Sequence, residues 1–274
     1  MLENKKFVIC IDSDGCAMDT MNYKHFEFFG PLAADIWKIK DKKVFLEIWN
    51  RINLYSITRG VNRFKALYLT FGEMSKIDNR IVPLNQIKNW CLKTTKLSND
   101  NLQTEIENNN SEELKKALEW SIAVNQGIEN AKDKDKPYEN VLDTLKKIKE
   151  FSDIVVVSSA NHDAIMNEWS KHGLIKYVNE VMSQNEGSKA ECIAKVKSLG
   201  YEENNILMIG DSPGDLEAAN KNSVYFYPII VGEEKNSWRE FKDVFFEKFI
   251  NKHYETVQKD LIEKFYKKLS CGKE

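Results

Sequence analysis

The sequence predicts an α/β fold, a doubly wound parallel sheet interrupted by an all-helical insertion, and three observations lead to it. A short apolar strand at 7–11 runs straight into the polar turn Asp12-Ser13-Asp14-Gly15. From about residue 21 to 136, apolar residues recur at helical spacing with almost no strand-like runs. From Tyr138 onward, short apolar runs alternate with helical segments, the pattern of parallel strands buried on both faces.

In chain order, the helical stretch offers helices at 31–39, 43–55, 61–71, 84–95 and 112–131. Val44, Ile48, Trp49, Ile52 and Tyr55 share one helical face. The polar passage 97–111 reads as an exposed connection. The lysine- and aspartate-rich stretch 131–138 reads as a linker, with Pro137 ending what precedes it. The alternating region then predicts a helix at 139–150, a strand at 153–157 and a helix at 163–172. A strand at 178–182, a helix at 189–199, a strand at 206–209 and a helix at 213–220 follow. The last strand is placed at 225–230, and two helices, near 238–248 and 251–269, complete the chain. Because the opening strand has no neighbour until residue 153, the helical block must interrupt the sheet domain. The expected division is a core of 1–20 and 137–274, with 237–274 a helical tail, around a helical domain of 21–136.

The chain has 274 residues, 42% hydrophobic and 30% charged, enough for a sizeable core. Forty basic residues against forty-two acidic ones give no general case for nucleic acid or an anionic membrane as partner. Five cysteines are scattered without a CxxC pair, which argues against a disulfide framework or zinc knuckle and fits a reducing cytoplasm. The apolar run near the N-terminus is too short for a signal peptide, and no stretch reaches membrane-spanning length.

In a doubly wound sheet, ligands sit outside the carboxyl ends of the strands. The polar residues there are Asp12 and Asp14 after the first strand, and Ser158 and Ser159 after the second. Gly187-Ser188-Lys189 follow the third, and Asp211 through Asp215 follow the fourth. Residues at i and i+2 of an extended chain share a side, so Asp12 and Asp14 can converge on one point. Burying two carboxylates is costly unless a cation or hydrogen bonds compensate, which suggests a magnesium site. The whole set suits one magnesium ion and one phosphoryl group: oxygens for the metal, a hydroxyl and an ammonium for the phosphate.

These motifs resemble the haloacid dehalogenase-like superfamily of phosphohydrolases. DSDG is similar to its DxDG motif, VVVS to its strand-plus-serine motif, Lys189 to its lone lysine and GDSPGD to its acidic motif. The resemblance covers 7–20 and roughly 138–231. It implies a Rossmann-like core, and the insertion falls where the family carries a C1-type helical cap. DSDGCAMDT and the GVNR segment at 60–63 also resemble β-phosphoglucomutase-like members, although Cys16 stands where many phosphatases have threonine. The resemblance implies that Asp12 is the nucleophile, forming an aspartyl-phosphate, and that Asp14 is the general acid and base. It implies magnesium held by Asp12, the backbone carbonyl of Asp14 and Asp211. Ser158 and Lys189 would bind phosphoryl oxygens, and Asp215 would orient the metal ligands and Lys189.

Plainer readings stand beside these. Ser188 and Glu191 form an SxxE capping box that leaves Lys189 at a helix start, and Asp215 could serve the helix opened by Ser212 and Pro213. Ser158 could cap the next helix, but Asn161 is better placed. Arg59 and Arg63 could fork onto substrate phosphate or sit on a solvated face, with Arg63 favoured by its GVNR position. Ser159 and Asn161 are candidate helpers at the same strand end. His25 is read as a polar or hinge residue, Cys16 as a packing residue, and Trp37, Trp49, Trp90, Trp120 and Trp169 as core aromatics. The combined expectation is a magnesium-dependent phosphatase of a small phosphorylated metabolite. The alternatives are a sugar-phosphate mutase and a non-catalytic phosphometabolite binder.

Overall fold

A computed structural model of the chain describes residues 3, 5–94, 96–131 and 133–271. Residue 95, the expected end of one helix, residue 132 in the linker and 272–274 at the end of the tail lie outside the described residues. The chain divides into two compact units: an α/β unit, formed by the segment up to Met21 and by the chain from Asp135 onward, and a helical unit, Asn22–Lys134.

Strand β1 (Phe7–Ile11) opens the α/β unit. The chain then runs through α1 (Met21–Tyr23), a π-wound stretch Lys24–Phe29, α2 (Gly30–Ile36), α3 (Lys42–Leu54), α4 (Arg63–Ile77), α5 (Asn85–Lys93), α6 (Asn99–Asn109) and α7 (Glu112–Asn130). The α/β unit resumes with α8 (Val141–Ile148), β2 (Ser152–Val157), α9 (His162–Lys171), β3 (Glu180–Met182), α10 (Lys189–Ser198), β4 (Ile206–Gly210), α11 (Pro213–Lys221) and β5 (Tyr225–Pro228). Beyond the sheet come α12 (Glu234–Glu240), a second π-wound stretch Phe241–Phe245, α13 (Phe246–Ile250) and α14 (Glu255–Cys271).

The helical unit is built on side-chain caps and an aromatic core. Asp41, Asn62, Ser98 and Ser111 each accept a backbone N–H at the start of α3, α4, α6 and α7, satisfying donors that the helix leaves open. Phe45, Trp49, Phe64, Trp90 and Trp120 fill the interior, with edge-to-face contacts such as Trp49–Trp120 at 5.8 Å and Phe64–Trp90 at 5.2 Å. The passage 97–111, expected to be an exposed connection, instead contains α6. Its polar composition hides two apolar residues one turn apart, Leu102 and Ile106, and both are buried. Ser98 starts this helix, and Asn110 ends it in a left-handed conformation.

Among the described residues the α/β unit holds one sheet of five parallel strands, ordered β3-β2-β1-β4-β5. Every residue of β1, β2 and β4 is buried, as their apolar runs require; Ser152 and Asp153, which open β2, are buried with hydrogen-bond partners such as the Ile148 carbonyl and the Tyr201 hydroxyl. Alternation divides them between two cores. Ile9, Ile11, Ile154 and Val156 face one side with Trp169 and Trp238. Val8, Cys10, Val155 and Val157 face the other with Cys192 and Ile193 of α10 and Leu216 of α11. Strand β3 is shorter than expected, because the chain at Ile175–Tyr177 closes into a 3₁₀ turn before it. Register brings the strand ends together: Ile11 pairs with both Val156 and Ile209, so the residues following β1, β2 and β4 emerge side by side.

Candidate active site

Asp12 follows β1 with the parity of Val8 and Cys10, which directs it toward the face covered by α10 and α11. Those helices begin at the same sheet edge. Ser188 and Glu191 complete a capping box at the start of α10, and this places Lys189 in its first turn. The Lys189 ammonium lies 2.8 Å from Asp12 Oδ2 and 2.6 Å from Asp215 Oδ1. The capping and site readings of Lys189 therefore hold together.

Asp215 is fully buried and both of its oxygens are engaged. Oδ1 takes the Lys189 ammonium, while Oδ2 accepts the Ser212 N–H at 3.0 Å and the Ser212 hydroxyl at 2.7 Å. Gly210 makes room for it: a Cβ there would overlap the Cβ and carboxyl carbon of Asp215. Asp211, also buried, comes off the end of β4, and one carboxylate oxygen each from Asp12, Asp211 and Asp215 lie within 4.8 Å of one another.

The Asp12–Gly15 turn is locally ordered. Ser13 N–H donates to Asp12 Oδ1 at 2.8 Å, and Gly15, with φ of 79°, turns the chain so that its N–H reaches the Met18 carbonyl. The Thr20 hydroxyl donates to Asp14 Oδ1. Ser158 is buried after β2. Its hydroxyl oxygen accepts the Ala160 N–H at 3.2 Å, leaving the hydroxyl proton able to donate elsewhere. Asn161 caps α9, as its position suggested, and Ser159 lies exposed beside it.

The electrostatics follow from composition. Three buried carboxylates are gathered and one ammonium touches two of them, an excess of negative charge in a poorly solvated place. Burial pushes the Asp12 carboxyl well above its usual range; Lys189 opposes this, while Asp215 and Asp211 reinforce it. Burial disfavours the Lys189 cation, but Asp12 and Asp215 outweigh it and hold the ammonium charged. A divalent cation would supply the missing positive charge, and the available donors are hard oxygens, which suit magnesium. Cys16 is no competitor as a thiolate. Burial and then the neighbouring acids push its thiol well upward, and it donates to the Ile209 carbonyl.

The remaining expected contacts lie in the helical unit. Arg59 is buried and donates to the Leu54 carbonyl at 2.8 Å. Arg63 donates to Asn125 Oδ1 at 2.7 Å and Ser121 Oγ at 3.1 Å, and its guanidinium sits over the Phe29 ring. His25 stacks on Phe29 and accepts the Trp49 indole N–H, so it serves the aromatic core. The capping box read from Ser212 and Asp215 is present at the start of α11. The sequence reading did not single out Thr20 or Gly210; each sits inside a quoted motif, and only three-dimensional proximity reveals its task.

A family model described as haloacid dehalogenase-like hydrolase matches residues 75–229, more than half of the chain. The match takes in Ser158, Lys189, Asp211 and Asp215 and begins after Asp12 and Asp14, whose place rests on the geometry above. No curated protein matches the sequence. A solved structure of a candidate phosphoglycolate phosphatase from Lactobacillus delbrueckii subsp. bulgaricus is similar over 94% of this chain and 98% of that chain, at 16% identity and a TM-score of 0.53. A hydrolase from Pseudomonas syringae is similar over 84% of this chain and 90% of that one, at 14% identity and a TM-score of 0.50. At such identities the likeness is one of fold. Among the described residues no helix is long and apolar enough to cross a membrane, and all five cysteines are free thiols.

Proposed function

Because the chain belongs to the haloacid dehalogenase-like hydrolases, we propose that it is a magnesium-dependent, cytoplasmic phosphatase of a small phosphorylated metabolite. The observation that carries this reading is the Lys189 ammonium bridging Asp12 and Asp215 inside a buried cluster with Asp211. A structural ion pair needs one carboxylate for its ammonium. Two on the ammonium and a third buried beside them fit a site for a divalent ion and a phosphoryl group.

In this reading Asp12 attacks phosphorus, and the phosphorus–oxygen bond to the leaving group breaks as Asp14 gives that oxygen its proton. The aspartyl-phosphate forms on Asp12. Asp14, now a carboxylate, removes a proton from water as the water oxygen attacks phosphorus, so inorganic phosphate leaves and Asp12 is restored. The Thr20 hydroxyl, donating to Asp14, keeps that carboxyl oriented. Ser158 and Lys189 hold the non-bridging oxygens, and Asp215 positions Lys189. Asp12, Asp211 and the Asp14 backbone carbonyl are the residues that would hold magnesium. When bound, it neutralises charge developing on the phosphoryl oxygens.

The helical unit is assigned the lid and selectivity role, with Arg59 and Arg63 as its candidate substrate contacts and Ser159 and Asn161 as those of the α/β unit. Turnover of p-nitrophenyl phosphate that requires Mg²⁺, with acid-trapped phosphate mapped to the peptide containing Asp12, is the expected result. Absence of turnover across sugar phosphates, nucleotides and small phosphate esters ends the reading. The DSDGCAMDT and GVNR segments keep a sugar-phosphate mutase as a second reading. Isomer formation from a hexose 1-phosphate, without phosphate release, would favour it.

A further inference from the structure

Two indoles from separate helices reach the turn that carries Asp12 and Asp14. Trp169 of α9 donates its ring N–H to the Ser13 hydroxyl at 2.9 Å, and Trp238 of α12 donates to the Cys16 carbonyl at 2.9 Å. Both rings are completely buried, in the core on the side of Ile9 and Ile11. Strand parity explains the arrangement. Asp12 has the parity of Val8 and Cys10, so Ser13 beside it has that of Ile9 and Ile11 and meets Trp169. A buried indole N–H must find an acceptor, and these two find theirs near opposite ends of one short turn. The bonds from Gly15 N–H to the Met18 carbonyl and from Met18 N–H to the Ser13 carbonyl shape the turn locally. The indoles tie it to the body of the core.

We propose that Trp169 and Trp238 are positioning residues for the nucleophile turn, and that helix α12, beyond the residues matched by the family model, belongs to the catalytic apparatus. They grip the turn from the side of Ile9 and Ile11, while Lys189 of α10 holds the Asp12 carboxylate. In-line attack needs the nucleophile placed to within a fraction of an ångström, so a loosened turn costs rate more than affinity. What is positioned rests on the phosphatase reading; the clamp itself does not.

Trp169→Phe and Trp238→Phe keep a ring in each cavity and delete the donor. Tyr254→Phe is the matched control: its buried hydroxyl also donates to a backbone carbonyl, that of Phe226 at 2.9 Å, away from the turn. Amide hydrogen exchange of a peptide spanning residues 12–18 should quicken about tenfold or more in both tryptophan variants and stay within about twofold in the control. With Mg²⁺ and p-nitrophenyl phosphate, kcat should fall about tenfold or more while KM stays within about twofold. Unchanged exchange overturns the clamp, and faster exchange with unchanged kcat overturns the positioning role. A wild type without activity on any phosphate ester fails the phosphatase reading instead, and the exchange comparison still decides the clamp. Should Trp238→Phe not fold, Ser13→Ala alone and combined with Trp169→Phe asks the same question: the two effects on exchange should fail to add, and additive effects overturn the clamp.

Discussion

The edge of the sheet and the interior of the helical unit both bury polar residues, but they use them in opposite ways. In the helical unit the buried Ser121 and the half-buried Arg63, Asn125 and His25 bond to one another or to the aromatic core. At the sheet edge Asp12, Asp211, Asp215 and Lys189 are gathered with more negative charge than their own cation balances. A fold under selection for stability alone has no reason to hold that excess. Buried polarity by itself therefore says little; buried polarity left unbalanced by its own neighbours marks the place where an outside group belongs.

The largest break in this comparison comes from Asp12→Asn. It removes one charge from the crowded side and the nucleophile with it, so turnover of p-nitrophenyl phosphate should fall by about 10⁴-fold or more. Thermal unfolding without metal should shift little, because relief of repulsion offsets the lost bond to Lys189. Near-normal turnover in this variant would remove Asp12 from the chemistry.

Next in size is Gly210→Ala. The new methyl would displace Asp215, and with it the anchor of Lys189. Overpacking of this kind costs about 1–3 kcal/mol, and a displacement approaching 1 Å can cost about 10²-fold in rate. Measured kcat should drop further than the loss in Tm alone would explain. Equal activity would mean that Asp215 has no bearing on Lys189 during catalysis.

How much of this was legible in the sequence depends on the distance over which each residue acts. Asp12 and Asp211 were readable because each sits at the end of an apolar run, and Lys189 and Asp215 because each lies in the first turn of the helix that follows one; parallel sheets bring such ends together. Helix α6 was not, since two apolar residues in eleven, Leu102 and Ile106, leave almost no periodic signal. Trp238 was invisible for a different reason. It lies 222 residues from Cys16, and nothing in the local pattern of an aromatic-rich tail says which carbonyl an indole will find. Chemistry carried by backbone topology can be read from sequence, whereas chemistry carried by a single long-range hydrogen bond cannot.

The helical side of the comparison is sharpened by Arg63→Ala. Loss of the bonds to Asn125 and Ser121 and of the stack on Phe29 should destabilise the protein by about 1–2 kcal/mol. KM for the substrate should change less than about tenfold. A larger rise in KM with unaltered Tm would make Arg63 a substrate contact before it is a strut.

The smallest effect belongs to an ordinary ion pair within the α/β unit, which serves as a contrast to Lys189. Burial pushes the Asp135 carboxyl up, but hydrogen bonds from Lys171 at 2.7 Å and His172 at 3.0 Å outweigh this and leave it below its usual range. A carboxyl lowered on folding adds stability above its unfolded value of about 4, and that contribution is lost as pH falls through the folded value. The Lys171 side chain is 41% exposed, so solvent screening keeps the pair below about 1 kcal/mol. Urea unfolding of the wild type and Asp135→Asn should therefore differ slightly at neutral pH and converge below about pH 4. Because this pair is balanced, its loss should leave kcat unchanged. A gap that widened toward acid would reverse the sign assigned to Asp135, and a fall in kcat would place this pair, too, among the residues that serve the reaction.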